Sequence, residues 1–269
     1  MNKTIFYLFT ICWLGISAVG SAQTNNDFTI PLKDPTKRGK LNASLNSGSI
    51  TVKGTARKDI LVRYTSASEN KDDKRDTKEG LKRVSGGSVD LSATEDNNMV
   101  KISSNSWNEE LNLEIEVPMN FDVKMHTYNS GDLKISNVSG EIDLTNYNGA
   151  IYADNIKGSV VATTYNDDVK VTFDEIKEGV PMAFSTYNGN IDVTFPATVK
   201  ATMKFKADQG DIFTGFDVDI KSSGPVKREE SKGGVYKVSV NDWKKGDFNG
   251  GGAEFTFKNY NGDIYVRKK

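Results

Sequence analysis

The 269-residue chain is 36% hydrophobic and carries 35 basic against 36 acidic residues, enough apolar material for a sizeable core and no basic excess for nucleic acid. With one cysteine and one histidine, a disulfide framework and cysteine-based zinc sites are excluded, and triad or His-metal chemistry is limited to a single imidazole.

The opening "MNKTIFYLFTICWLGISAVGSAQ" has Lys3, an apolar run from Ile5 to Val19, and Gly20 and Ala22 at the −3 and −1 positions of a cleavage before Gln23. These features predict a secretory signal peptide over 1–22, leaving 23–269 as a single domain. The run is shorter than the ~20 residues a membrane span needs. Cys12 follows Ile11 rather than a small residue, which does not fit a lipoprotein signal. Cleavage would leave an exported chain without cysteine and, with Lys3 gone, a net charge of −2. The expected location is the periplasm, the outer surface or the extracellular space.

After the leader, "SGSITVKG" (Ser47–Gly54) and "DILVRY" (Asp59–Tyr64) alternate apolar and polar residues, the signature of half-buried strands. A charged excursion over 66–85, "SENKDDKRDTKEGLKR" at its centre, reads as a solvated loop or short surface helix, with a docking element for a partner as the alternative. Alternation resumes in "GGSVDLSA" (Gly86–Ala93), "MVKISS" (Met99–Ser104) and "LNLEIEVP" (Leu111–Pro118).

The regular block, 127–176, follows. Gly131, Gly140, Gly149, Gly158 and Asp167 recur every nine residues, each followed at two and four residues by an apolar position: Leu133/Ile135, Ile142/Leu144, Ile151/Ala153, Val160/Ala162 and Val169/Val171. Glycine is expected to supply positive φ at each corner. Nine residues leave no room for crossover helices, so a hairpin meander or a β-solenoid remains. Alternate units match best: Val138 and Ile156 share one slot, Tyr147 and Tyr165 another. The expected fold is therefore all-β, a parallel β-solenoid with about nine residues per strand and two strands per eighteen-residue coil. Looser β coils flank it, among them "NGNIDVTF", "QGDIFTGF" around Gly210 and the closing "NGDIYVRK". Lys134, Tyr152 and Lys170 should form one outward column, Thr145 and Thr163 another.

Tyr-Asn precedes a turn five times, at Tyr128, Tyr147, Tyr165, Tyr187 and Tyr260. Four of these tyrosines lie four residues before an inward aliphatic, so an extended backbone would point them into the core. Tyr128 is one residue out of step and needs a bulge at Ser130. The alternative is an exposed aromatic strip that stacks on sugar rings.

The stretches "LNASLNSGSITVKG", "LNLEIEVPMNFDVKMHTYNSGDLKISNVSGEIDLTNYNGAIYADNIKGSVVATTYNDDVKV" and "FNGGGAEFTFKNYNGDIYVRKK" resemble the adhesin-like domain of bacterial envelope proteins known as DUF4097, over roughly 27–269. The resemblance implies a secreted or surface β-solenoid without known catalytic residues.

Other chemistry is weak in the sequence. His126 reads as a strand-end or surface residue. The calcium β-roll needs paired glycines and a fixed Asp, whereas Asp132, Glu141, Asp143 and Asp154 wander. A glycosidase or lyase on a β-helix would need Asp143, Asp167 and Asp168 to converge in a cleft, with a carboxylate pair roughly 5–9 Å apart. "FNGGGAEF" (Phe248–Phe255) reads as a wide turn between strands, not as a phosphate cradle opening a helix. The expectation is a non-enzymatic envelope scaffold or adhesin-like binding protein with no catalytic residues, cofactor or metal. Tyr147, Tyr152, Tyr165, Tyr187 and Tyr260 are its candidate contacts with a cell-surface glycan or envelope protein. The alternatives are a carbohydrate-active β-helix and a tyrosine-based glycan-binding module.

Overall fold

A computed structural model describes residues 26–66, 77–78, 81–82, 90–107, 109–218, 220–222, 226–232, 235–241 and 243–269. The expected leader over 1–22 and most of the charged excursion lie outside these residues. Among the described residues the structure is all-β with no helix, hence with no helix long and apolar enough to cross a membrane.

The first part of the chain contributes β1 (Asp27–Pro31), β2 (Gly39–Ser47), β3 (Ile50–Thr55) and β4 (Asp59–Ser66). The two-residue strands β5 (Thr77–Lys78) and β6 (Leu81–Lys82) precede β7 (Ser92–Asp96), β8 (Met99–Ser104) and β9 (Leu111–Pro118). The repeat region supplies β10 (Phe121–Asn129), β11 (Leu133–Ser136), β12 (Ser139–Asn146), β13 (Ile151–Thr163), β14 (Val169–Ile176), β15 (Met182–Asn188) and β16 (Ile191–Phe195). The last part adds β17 (Ala201–Gln209), β18 (Ile212–Thr214), β19 (Lys221–Ser222) and the hairpin β20 (Val226–Lys232)–β21 (Val235–Asn241). It closes with β22 (Lys244–Phe248), β23 (Ala253–Asn261) and β24 (Ile264–Lys268).

Twenty strands join into one mixed sheet whose pairings follow two ladders. The first runs β8–β2–β10–β12–β13–β15–β23–β17, all parallel, with antiparallel β7 outside β8 and β22 and β19 outside β17. The second runs β9–β3–β11–β13–β14–β16–β24–β18, again parallel, with antiparallel β4 and β1 beyond β9. The long strand β13 serves both, its first residues pairing in the second ladder and its last in the first. The sheet is thus parallel in its middle and antiparallel at its ends.

The register at the strand starts of the regular block is the expected one, with an irregularity between β13 and β14 after Ala153, where Ile156 lies beside Phe173. Leu133 lies beside Ile151 and Ile151 beside Val169, while Ile142 lies beside Val160. Lys134, Tyr152 and Lys170 form one row, and Thr145 and Thr163 another. Like residues therefore recur every second strand, and strands about 4.8 Å apart stack them in contact. Inward rows from both ladders form one hydrophobic cluster, aliphatic in the early strands and aromatic in the later ones. Phe173 stacks on Phe195 at 5.1 Å, and Phe257 stacks on both Phe184 and Phe205 at 5.1 Å.

One expectation fails. Gly140 and Gly158 are not corners: they lie within β12 and β13, and the non-glycine residues with positive φ on that side are Asn137 (φ 58°) and Asn155 (φ 54°), although Gly158 does adopt the expected positive φ, at 153°. Glycine is required there for closeness, since a Cβ on Gly158 would stand 2.1 Å from the Gly140 carbonyl oxygen. The strand pairs do not follow chain order. The pair β8–β9 lies before β2–β3, and the closing pair β23–β24 lies between β15–β16 and β17–β18. The loose spacing between Gly189 and Gly262 is the trace of that insertion: Gly210 belongs to the outer pair, while Gly262 occupies the rung inside it.

Candidate functional site

The recurring Thr/Asn-Tyr-Asn-Gly/Asp corner is built one position at a time. Its first residue, Thr127, Asn146, Thr164, Thr186 or Asn259, is buried. Each donates its side-chain hydrogen bond to a turn carbonyl of the neighbouring rung. Thr127 Oγ1 reaches Gly48 at 3.0 Å, Asn146 Nδ2 reaches Gly131 at 3.0 Å and Thr164 Oγ1 reaches Gly149 at 2.8 Å. Thr186 Oγ1 reaches Asp167 at 2.9 Å, and Asn259 Nδ2 reaches Gly189 at 2.9 Å. A buried carbonyl is costly to leave unpaired, so this column satisfies the turns from within.

The third residue forms a ladder of amides. Asn166 donates to Asn148, Asn188 to Asn166 and Asn261 to Asn188, each at 2.8 Å. The residue after the turn then ties rungs together by accepting a backbone N–H: Asp132 from Ala150, Asp168 from Asn190, Asn190 from Asp263 and Asp263 from Asp211. Three of these acceptors are carboxylates and the fourth, Asn190, is an amide; of the acids that wander in the sequence only Asp132 serves the corner in this way.

The tyrosines, against expectation, face outward. Tyr128, Tyr147, Tyr165, Tyr187 and Tyr260 are each about two-fifths exposed, between 39% and 42%. They stack in series with ring centroids 4.8, 5.0, 4.8 and 4.5 Å apart and planes within 11° of parallel. Ser130 (φ 51°) absorbs the extra residue that brings Tyr128 into the row. The inward reading counted four residues forward, through Gly149 (φ 154°), where the backbone is not extended. Counted back from buried Leu144 and Asn146, Tyr147 falls on the outer face.

Trp107 extends the row edge-on, 5.4 Å from Tyr128 at 77°. It lies outside the repeats, so no periodic signal marks it. In the sequence only its being one of three tryptophans, placed just after the alternating stretch Met99–Ser104, could have drawn notice. Beyond Tyr260 the equivalent place on β17 falls to Asp208, and the row ends.

Tyr152 stands apart, on the outer side of the second ladder, with Lys134 Nζ 5.7 Å from its ring centre. Lys134 and Tyr152 line an open pocket of about 420 Å³ with Thr51, Asp132, Ser136 and Asp154. Burial raises the Tyr152 phenol above its ordinary range, as do the charges of Asp132, Asp167 and Asp168. Further along the same side Tyr265 stacks on Phe213 at 5.1 Å and donates to Asp263, a bond that raises its own pKa.

The remaining candidates take other places. Asp143 is mid-strand on β12, paired with Lys124 at 2.7 Å, whereas Asp167 and Asp168 sit at the corner. Asp167 itself adopts φ 106° and accepts the Asp168 N–H at 2.8 Å. The hydrogen bonds of Asp167 and Asp168 are therefore structural. His126 lies on the outer row of β10 beside Ser44 and Thr145. "FNGGG" joins two strands, as expected. Among the described residues no three His, Cys, Asp or Glu side chains gather to hold a metal ion.

Residues 120–249 match the family model Toastrack DUF4097, which bears out the resemblance read from the sequence. A crystal structure from Clostridium sporogenes ATCC 15579, described as "a putative cell adhesion protein", is similar at 12% identity and a TM-score of 0.44. The alignment covers 91% of this chain and 100% of that one. No curated protein matches the chain.

Proposed function

We propose that the chain is a non-enzymatic, exported, adhesin-like envelope protein. Its two ladders are the faces of a flattened parallel β-solenoid, and its contact surface is the aromatic edge. The observation that carries this reading is the unbroken exposed row from Trp107 to Tyr260. Six rings at strand spacing make a rail roughly 24 Å long. A row of that length invites contact, because soluble surfaces rarely expose contiguous apolar strips without use.

The geometry also narrows the partner. Sugar-binding aromatic strips present ring faces, but here the tyrosine faces cover one another. Ring edges and phenol hydroxyls remain, which suit a surface offering both apolar groups and hydrogen-bond partners, such as an envelope protein or the hydroxyl rim of a glycan. Placing Asp143 in a strand pair with Lys124, away from the Asp167–Asp168 corner, supports the non-enzymatic reading over a two-carboxylate hydrolase.

The test is a glycan array and an envelope-fraction pull-down with the wild type and a Tyr147→Ser/Tyr165→Ser variant. The variant should lose the captured partner while keeping its far-ultraviolet β spectrum. Equal capture by both proteins would remove the rail from the function. Glycan hydrolysis abolished by Asp167→Asn would overturn the non-enzymatic reading.

A further inference from the structure

We infer that residues 253–268, the pair β23–β24, are an exchangeable coil that a second copy of this chain can supply in trans. The inference begins with an order that the chain does not share. β15–β16 and β17–β18 are made first in sequence yet are not neighbours; β23–β24 lies between them and is hydrogen-bonded to both sides. Until that pair arrives, the flanking strands border a slot two strand spacings wide, about 9.6 Å.

The slot is selective. Phe257 fills it between Phe184 and Phe205, and Phe255 stacks on Phe195 at 5.5 Å. At the corner Asn259 must reach the Gly189 carbonyl, Tyr260 must lie on Tyr187, and Asn261 must donate to Asn188. An arbitrary extended peptide meets few of these demands. Another copy of the same segment meets all of them, with contacts identical to those made at home.

A hinge stands where exchange requires one. Asn249, Gly250 and Gly251 have φ of 49°, 92° and 82°, three left-handed residues in succession between β22 and β23. Asn249 Nδ2 is pinned to the Ala197 and Val199 carbonyls at 3.0 and 2.8 Å, so the β22 side stays fixed. Nothing stands within 4 Å of a Cβ position on Gly250. Gly250, Gly251 and Gly252 relax to an open conformation without steric cost and release everything beyond them. Because β23 joins strands far away in sequence, a neighbouring copy competes with it during folding at high concentration.

Reciprocal cysteines test the exchange in the full chain carrying Cys12→Ser. Ser185 and Lys258 are outward register partners on β15 and β23. One copy takes Ser185→Cys, the other Lys258→Cys, and the two are refolded together under mild oxidation. A disulfide-linked heterodimer is expected, whose yield rises with protein concentration. A chain carrying both substitutions should instead cross-link internally, which verifies that the pair can bond. Deleting Gly250 and Gly251 should convert monomer to dimer, since a shortened hinge cannot fold back. Internal cross-linking in the double variant, with no heterodimer from the single variants and a monomeric deletion variant, would overturn the inference.

Discussion

Each rung turns two corners, and they solve one problem in opposite ways. At the Asn137 and Asn155 corner the left-handed residue comes first, and the next residue, Val138 or Ile156, points inward and is buried. At the tyrosine corner the left-handed residue, Gly149, Asp167 or Gly189, comes after Tyr-Asn. There the tyrosine keeps the phase of the strand before it and stays outside, while a Thr or Asn takes the inward slot. One left-handed residue shifts the inside–outside alternation, so its position decides which neighbour is core. The first corner is held by apolar burial, the second by buried hydrogen bonds and surface stacking.

The sharpest way to break this contrast is to empty the apolar corner. Ile156 is fully buried, and Ile156→Ala should cost about 2–5 kcal/mol in chemical denaturation, the usual range for a buried aliphatic truncation. A loss below about 0.5 kcal/mol, the level of surface changes, would mean that the corner is not part of the packed core.

The polar corner should yield less. Thr164→Val keeps the shape but removes the donor to the Gly149 carbonyl, for an expected loss of about 1–3 kcal/mol. Tyr165→Phe, one residue on, keeps both stacks and should stay within about 0.5 kcal/mol of wild type. If the phenylalanine variant proves the weaker of the two, the hydroxyl rather than the buried donor holds the corner.

Most of the regular block was legible because its alternation and nine-residue spacing are local. Leu133, Ile142, Ile151, Val160 and Val169 all face inward, as that pattern requires. The tyrosines defeat the pattern because a phase counted across the left-handed residue, instead of up to it, points them inward. Gly140 and Gly158 keep the nine-residue period without being turns: close approach of two backbones demands glycine at both, and Gly158 adds a positive φ. The insertion of β23–β24 had no local signal. Its place is decided by which phenylalanines interleave, a contact between segments about 50–75 residues apart. In retrospect one clue existed, the reuse of the tyrosine corner at "NYNG", which marks β23 as a member of the same stack as β15.

The smallest expected effect lies in alkaline titration of the rail. The Tyr187 phenol is raised above the ordinary value of about 10, first by desolvation and then by its neighbours Tyr260 and Tyr165. The folded state therefore holds the proton more tightly than the unfolded chain. The stabilisation is complete below the unfolded pKa and disappears as pH rises through the folded one, so stability should fall above about pH 10. Tyrosinate absorbance should show the raised titration in wild type, and Tyr187→Phe should abolish that component and flatten the alkaline decline. Removing a ring from the row by Tyr260→Ala should lower the Tyr187 titration towards the ordinary value, because one side of its shielding and one repelling phenolate go together. An unchanged Tyr187 titration in that variant would show that the stack, and with it the outer side of the tyrosine corner, does not persist in solution.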